Sequence, residues 1–141
     1  MSNTEFPKWT HTLLGSEIAL TMGQSPPSNT YNTERKGLPF FQGKADFGNK
    51  YPVATVWCDS PQKIAEKGSI LFSVRAPVGE INLNLERSCI GRGLASITAN
   101  KMSDKYLFYL LDFKKRDFQR LAQGSTFEAI NGSACFSVWA P

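Results

Sequence analysis

Only one stretch of this chain carries apolar residues at helical spacing, and the sequence before it is cut into short pieces by glycine and proline. Leu107, Leu110, Leu111, Phe118, Leu121 and Ala122 recur on one face between Ser103, a good N-cap, and Gly124, a good stop, which predicts a single long helix. Its other face holds Lys105, Lys115, Arg116 and Arg120, read as a solvated surface. Ahead of it, residues 38–41 (LPFF), 53–57 (VATVW), 69–74 (SILFSV), 80–85 (EINLNL) and 94–98 (LASIT) are apolar or alternating runs of strand length. In 80–85 the alternation predicts Ile81, Leu83 and Leu85 on a buried face and Asn82 and Asn84 on a wet one. Ser60 followed by Pro61 predicts a short helix start, with Ile64 and Ala65 inward and Gly68 closing it. The first 22 residues read as a lead-in strand and short helix anchored by Trp9, Leu13 and Leu14, with a turn before 18–22. Residues 23–37, dense in Gly, Pro, Ser and Asn, read as an irregular surface loop, and 134–139 as a final strand.

These 141 residues fit one domain, and a 41% hydrophobic content excludes wholesale disorder. Sixteen Lys and Arg against twelve Asp and Glu leave a net charge of +4, which suits a polyanionic partner without requiring one. No apolar run approaches the roughly 18 residues of a membrane span, and no secretory signal opens the chain. Cys58, Cys89 and Cys135 are odd in number and widely spaced, so they read as reduced thiols of a cytoplasmic protein.

Catalytic constellations are missing from the sequence. His11 and three scattered cysteines give no zinc spacing, and His11 has no nucleophile elbow to serve. Gly91-Arg92-Gly93 starts a Gly-rich loop but puts Ser96 at its sixth position, and no Walker lysine loop is present. Ser25-Pro26-Pro27-Ser28 is similar to the Pro-Pro motif of amino-methyltransferases, yet Ser28 stands where those enzymes place a stacking aromatic, so a turn is the better reading.

Taken in order, five stretches resemble the target-recognition domain of type I restriction–modification specificity subunits. They are Leu14-Gly15 with 22–27 (MGQSPP), 37–43 (GLPFFQG) with Asp46-Phe47-Gly48, 67–79 (KGSILFSVRAPVG), 89–94 (CIGRGL), and 124–127 (GSTF). Together they span roughly residues 9 to 130, and 73–79 followed by 90–93 is the most specific part. The resemblance implies an α+β fold: a single globular domain with a twisted, largely antiparallel or mixed sheet and flanking helices. Residues 1–130 would form the recognition domain. Residues 131–141 do not align with the amphipathic segment and spacer helix that follow in the family, and are read as an atypical tail.

The resemblance also implies the function. A specificity subunit carries two such domains, each reading one half of a split DNA target, joined by helices that dock methyltransferase subunits and, through them, motor-nuclease subunits. Catalysis would lie in those partners, which would bind S-adenosylmethionine, ATP and Mg, leaving this chain without a cofactor. A second half-site would need a second domain, by covalent duplication or as a homodimer. Candidate DNA contacts are Ser25, Asn29, Tyr31, Arg35 and Lys36 in the first loop, and Gln42, Lys44, Asn49 and Lys50 in the second. Arg75 and Arg92, set in Gly- and Pro-shaped turns, read as phosphate clamps or loop braces. Trp9, Trp57 and Trp139 read as core. The alternatives are a truncated or decoy module that binds methyltransferase subunits without reading DNA, a recognition fragment of a fused methyltransferase–nuclease, and an RNA-binding basic domain.

Overall fold

Short β-branched and aromatic runs can bury themselves only by pairing. A computed structural model, which describes residues 10–13, 17–100, 102–121 and 137–140, places them in three sheets with two helices among the described residues. The strands are β1 (Thr10–Leu13), β2 (Ile18–Met22), β3 (Tyr31–Asn32), β4 (Leu38–Phe41), β5 (Trp57–Cys58), β6 (Ile64–Ala65), β7 (Ile70–Ser73), β8 (Ile81–Leu83), β9 (Ser88–Ile90), β10 (Leu94–Ala99) and β11 (Ser137–Ala140). The helices are α1 (Asp104–Phe113) and α2 (Lys115–Leu121). One sheet is antiparallel in the order β2-β10-β7-β8. A second, β3-β5-β4-β9-β6, is mixed because β4 and β9 run parallel. The third is the antiparallel pair β1-β11. The expected α+β architecture is observed, with its strands shared among separate sheets.

The four-stranded sheet is the middle layer. Ile70 and Phe72 of β7 face the helices and pack with Ile97, Leu107, Leu111 and Phe118, whereas Leu71 between them faces Phe41, Ala65 and Ile90 of the five-stranded sheet. This period of two places both faces of β7 in apolar surroundings, and all four of its residues are buried. Phe72 and Phe118 meet edge to face at 5.1 Å. A smaller cluster of Phe40, Cys58 and Cys89 lies on the far face of the five-stranded sheet. Burial pushes the Cys89 thiol up to about 11, so it is held protonated; Cys58 beside it is also a free, buried thiol.

The structure corrects four local expectations. Residues 61–68 form no helix: Ile64 and Ala65 pair with Cys89 and Ser88, because an eight-residue segment gains more from the edge of a sheet than from a turn or two of isolated helix. The run 53–57 pairs only from Trp57 on, as β5. The long helix divides at Lys114, and this break leaves Phe118 seated on Phe72. In β8 the wet face proves to be the more buried one. Asn82 and Asn84 are 2% and 1% exposed, Ile81 and Leu83 are half-buried against the helical side, and Leu85 is 54% exposed. The asparagines are buried because they replace lost water with backbone partners. The Asn82 amide accepts from the Gly48 N–H and donates to the Gly48 carbonyl, while Asn84 donates to the Ala65 and Glu66 carbonyls and accepts from Ser88.

Strands β3 and β9 were not foreseen, and β11 overlaps the expected final strand. Trp57 is half-buried on β5. Of the expected lead-in strand and short helix, the described parts 10–13 and 18–22 are both strands, β1 and β2; Trp9, residues 14–16 and the stretch 124–127 lie outside the described residues, and Trp139 is described only through its strand. No described helix is long and apolar enough to cross a membrane.

Candidate nucleic-acid interface

Four strands end at one place, and the residues that follow them form the candidate surface. After β2 comes Gly23-Gln24-Ser25, after β4 Gln42-Gly43-Lys44, after β7 Val74-Arg75, and after β9 Gly91-Arg92-Gly93. The last of these is the hub. Gly91 N–H donates to the Phe41 carbonyl at 2.8 Å, Gln24 N–H to Ile90 at 3.0 Å, Gly23 N–H to Leu94 at 2.8 Å, and Val74 N–H to Gly93 at 3.0 Å. Backbones this close leave no room for side chains. A Cβ on Gly23 would lie 1.9 Å from the Gly91 carbonyl oxygen, and one on Gly93 would lie 2.3 Å from that of Gln42.

The hub carries Arg92 outward. Ser25 Oγ accepts from the Arg92 backbone N–H at 3.2 Å and lies 3.5 Å from its Nε. The serine thereby braces the arginine from a segment far away in sequence, leaving the terminal guanidinium nitrogens available. Next to Gly93, Gln42 starts a tight turn. The Asp46 carboxylate accepts from the Gln42 N–H at 2.7 Å, and the 3-10 turn Lys44–Asp46 follows, with Gln42 and Lys44 exposed. Across an open depression of about 740 Å³ from these residues stand Arg75, Ala76 and Pro77. Their loop is fixed at its base. Ser73 Oγ donates to the Pro77 carbonyl at 2.6 Å and accepts from the Glu80 N–H at 3.0 Å. Ser25, Arg92, Gln42, Lys44 and Arg75 thus come together on one surface.

The other candidates are placed differently. Tyr31 packs on Phe40, with ring centroids 4.7 Å apart, and its hydroxyl donates to the Pro26 carbonyl at 2.8 Å. Desolvation raises its pKa, with the neighbouring Cys58 and Cys89 acting in the same direction and Arg92 opposing them. It braces the first loop, and the two prolines sit in a turn, since Thr30 Oγ1 donates to the Pro27 carbonyl at 2.6 Å. Asn29 is exposed on the 3-10 turn Ser28–Thr30. Arg35, in the left-handed region at φ 60°, lays its guanidinium over Trp57 at 5.6 Å. Lys36 is exposed, and its backbone is tied to the Asn32 side chain. Asn49 and Lys50 gather instead with α1. The Lys50 carbonyl accepts from Leu83 N–H, and its ammonium lies 5.7 Å from the Tyr51 ring and 5.8 Å from that of Phe108.

The positioning role of Asp46 and of Ser73 escaped the sequence reading. A carboxylate four residues after an exposed glutamine is a local turn signal that could have revealed the first; the second depends on tertiary placement. Among the described residues no group of three or more His, Cys, Asp or Glu could hold a metal ion.

The fold that carries this surface is shared with known proteins. The family model described as "Type I restriction modification DNA specificity domain" matches residues 16–134. A protein named as the type I restriction enzyme MjaX specificity subunit of Methanocaldococcus jannaschii is 43% identical over 142 residues, covering 97% of this chain and 33% of its own length. The crystal structure of the HsdS subunit from Thermoanaerobacter tengcongensis superposes with a TM-score of 0.77 at 45% identity, covering 84% of this chain and 31% of that one. At 16% identity, the S subunit from M. genitalium shares the fold with a TM-score of 0.62 over 86% of this chain and 30% of its own. The chain therefore spans about a third of the length of these relatives. With the matched model covering most of its residues, the chain belongs to the family of type I restriction modification DNA specificity domains.

Proposed function

We propose that this chain reads one half-site of a split DNA target and performs no chemistry itself. The observation that carries this reading is the convergence of Gln42, Lys44 and Arg75 around the depression at the ends of β4 and β7, with Arg92 carried beside it on the Gly91–Gly93 hub that packs against Gln42. Cations at its rim suit phosphates, and polar side chains on locked backbone suit base edges. Residues 1–130 act as the recognition domain, in the cytoplasm. Methyl transfer from S-adenosylmethionine and ATP-driven, Mg-dependent cleavage fall to methyltransferase and motor-nuclease subunits. A second recognition domain, covalently linked or from a second copy, supplies the other half-site.

The test is selection of bound duplexes from a randomised pool at low and moderate salt. Enrichment of a half-site of about three to five base pairs is expected, as one domain spans one groove segment. A pool that binds but stays random would sink the reading. The second reading, a protein-docking module that does not read DNA, is favoured by one observation: α1 exposes Tyr109 and, 82% accessible, Phe113. Capture of a methyltransferase subunit without any shift of duplex DNA would select it.

A further inference from the structure

We propose that Gln42 is the base-reading side chain of this surface and that its ligand is an adenine exposed in the major groove; this rests on the DNA-reading function above. A side chain that discriminates bases must be held to within a fraction of an ångström by its own backbone. Gln42 is held on both sides. Its N–H donates to the Asp46 carboxylate at 2.7 Å, and its carbonyl is pressed against Gly93, where even a Cβ would not fit. Its amide, in contrast, is exposed and has no hydrogen-bond partner among the described residues, so a donor and an acceptor stand ready side by side.

Several competing polar groups are committed elsewhere. Ser25 Oγ is occupied by Arg92, the Tyr31 hydroxyl by Pro26, the Asn32 amide by Glu34 and Lys36, and Asn82 and Asn84 are buried. Gln24, Asn29 and Asn49 are exposed, but none of them borders the depression that Gln42 shares with Lys44 and Arg75. Gln42 is neutral and gains little from a phosphate, whereas Arg92, one turn away through Gly93, and Lys44 and Arg75 are cations that gain much. The division of labour follows: the cations clamp the strands on either side, and the glutamine amide meets adenine N6 and N7 in a bidentate pair.

The experiment compares half-sites selected by the unaltered 141-residue chain, Gln42→Ala and Gln42→Glu, with melting temperatures confirming that these exposed substitutions leave the fold intact. The unaltered chain is expected to prefer adenine at one position by about 5- to 150-fold, the range of a good bidentate pair. Gln42→Ala is expected to lose the preference at that position alone. Gln42→Glu, now an acceptor only, is expected to move it toward cytosine, whose N4 amine donates. A half-site that Gln42→Ala leaves unchanged, or one that loses a base other than adenine, overturns the assignment while DNA reading stands. An unaltered chain that binds duplex without preference, or binds none, overturns both.

Discussion

Asn82 shows most sharply what a single side chain does in this fold. An alternating strand pattern assigns polar residues to water, yet here the polar residue is the buried one. The amide satisfies both the N–H and the carbonyl of Gly48, a loop residue 34 positions away, and so ties the 47–52 loop to β8. Replacing it with Leu keeps the branched shape but takes the donor from the Gly48 carbonyl and leaves the Gly48 N–H with the Tyr51 carbonyl alone. An unsatisfied buried group costs about 1–3 kcal/mol, so Asn82→Leu should destabilise the domain by about 1–3 kcal/mol. Urea denaturation should show an earlier midpoint with an unchanged slope, and a midpoint equal to that of the unaltered chain would refute the tie. No local signal in residues 80–85 announces this role, because the partner is set by tertiary placement. Arg92 was more legible. A cation between two glycines advertises a close-packed turn, and only its brace, Ser25, had to be learned from the structure.

At the scale of elements, legibility followed how much of each element's stabilisation is local. β4, β7 and β10 bury apolar runs on both faces, and their composition foretold them. Ser103 caps α1 as expected, its Oγ accepting from Tyr106 N–H at 3.1 Å. By contrast, β3, β5 and β6 are two-residue pairings that exist only because a neighbouring strand supplies hydrogen bonds, so residue preferences at 31–32, 57–58 and 64–65 carry little of the signal. The candidate surface divides in the same way. Its segments were visible as Gly- and Pro-rich turns, but the grouping of Gln42 and Lys44 with Arg75 and Arg92, and the separation of Asn49 and Lys50 toward α1, depend on which strand ends meet. Two substitutions distinguish the hub from the helix. Gly93→Ala pushes a methyl into the Gln42 carbonyl, displaces the recognition turn, and should abolish half-site enrichment as well as lower the melting temperature. Ser103→Ala removes a cap worth about 1 kcal/mol and should lower the melting temperature while leaving the selected half-site as it was. Equal effects of the two on selection would mean that the hub has no special part in recognition.

For the whole molecule, the three-layer arrangement decides which charges can act together. The net charge of +4 is spread over the chain, but the layers set the cations around the strand ends apart from those on the helices. On the helical side Lys115 is already engaged, its ammonium 2.7 Å from the Glu80 carboxylate, and Lys114 lies 3.9 Å from Asp117. Around the depression Arg75 and Lys44 have no such partners among the described residues, and Arg92 is braced by a neutral hydroxyl. Lys105, Arg116 and Arg120 of the helices are exposed as well, so the proposed function requires that counterion release follow the strand-end cations and not these. Three phosphate contacts give a slope of about 2.7 in log Kd against log salt, or about 40-fold weaker binding between 50 and 200 mM salt. Lys44→Ala should reduce that slope by about 0.9, as should Arg75→Ala, with binding weakened alike on every sequence. Arg116→Ala, an exposed change on α2, should leave the slope where it was. A slope that falls with Arg116→Ala but not with Lys44→Ala would move the duplex to the helical layer, where Asn49 and Lys50 already lie, and would leave the strand-end surface as a structural hub.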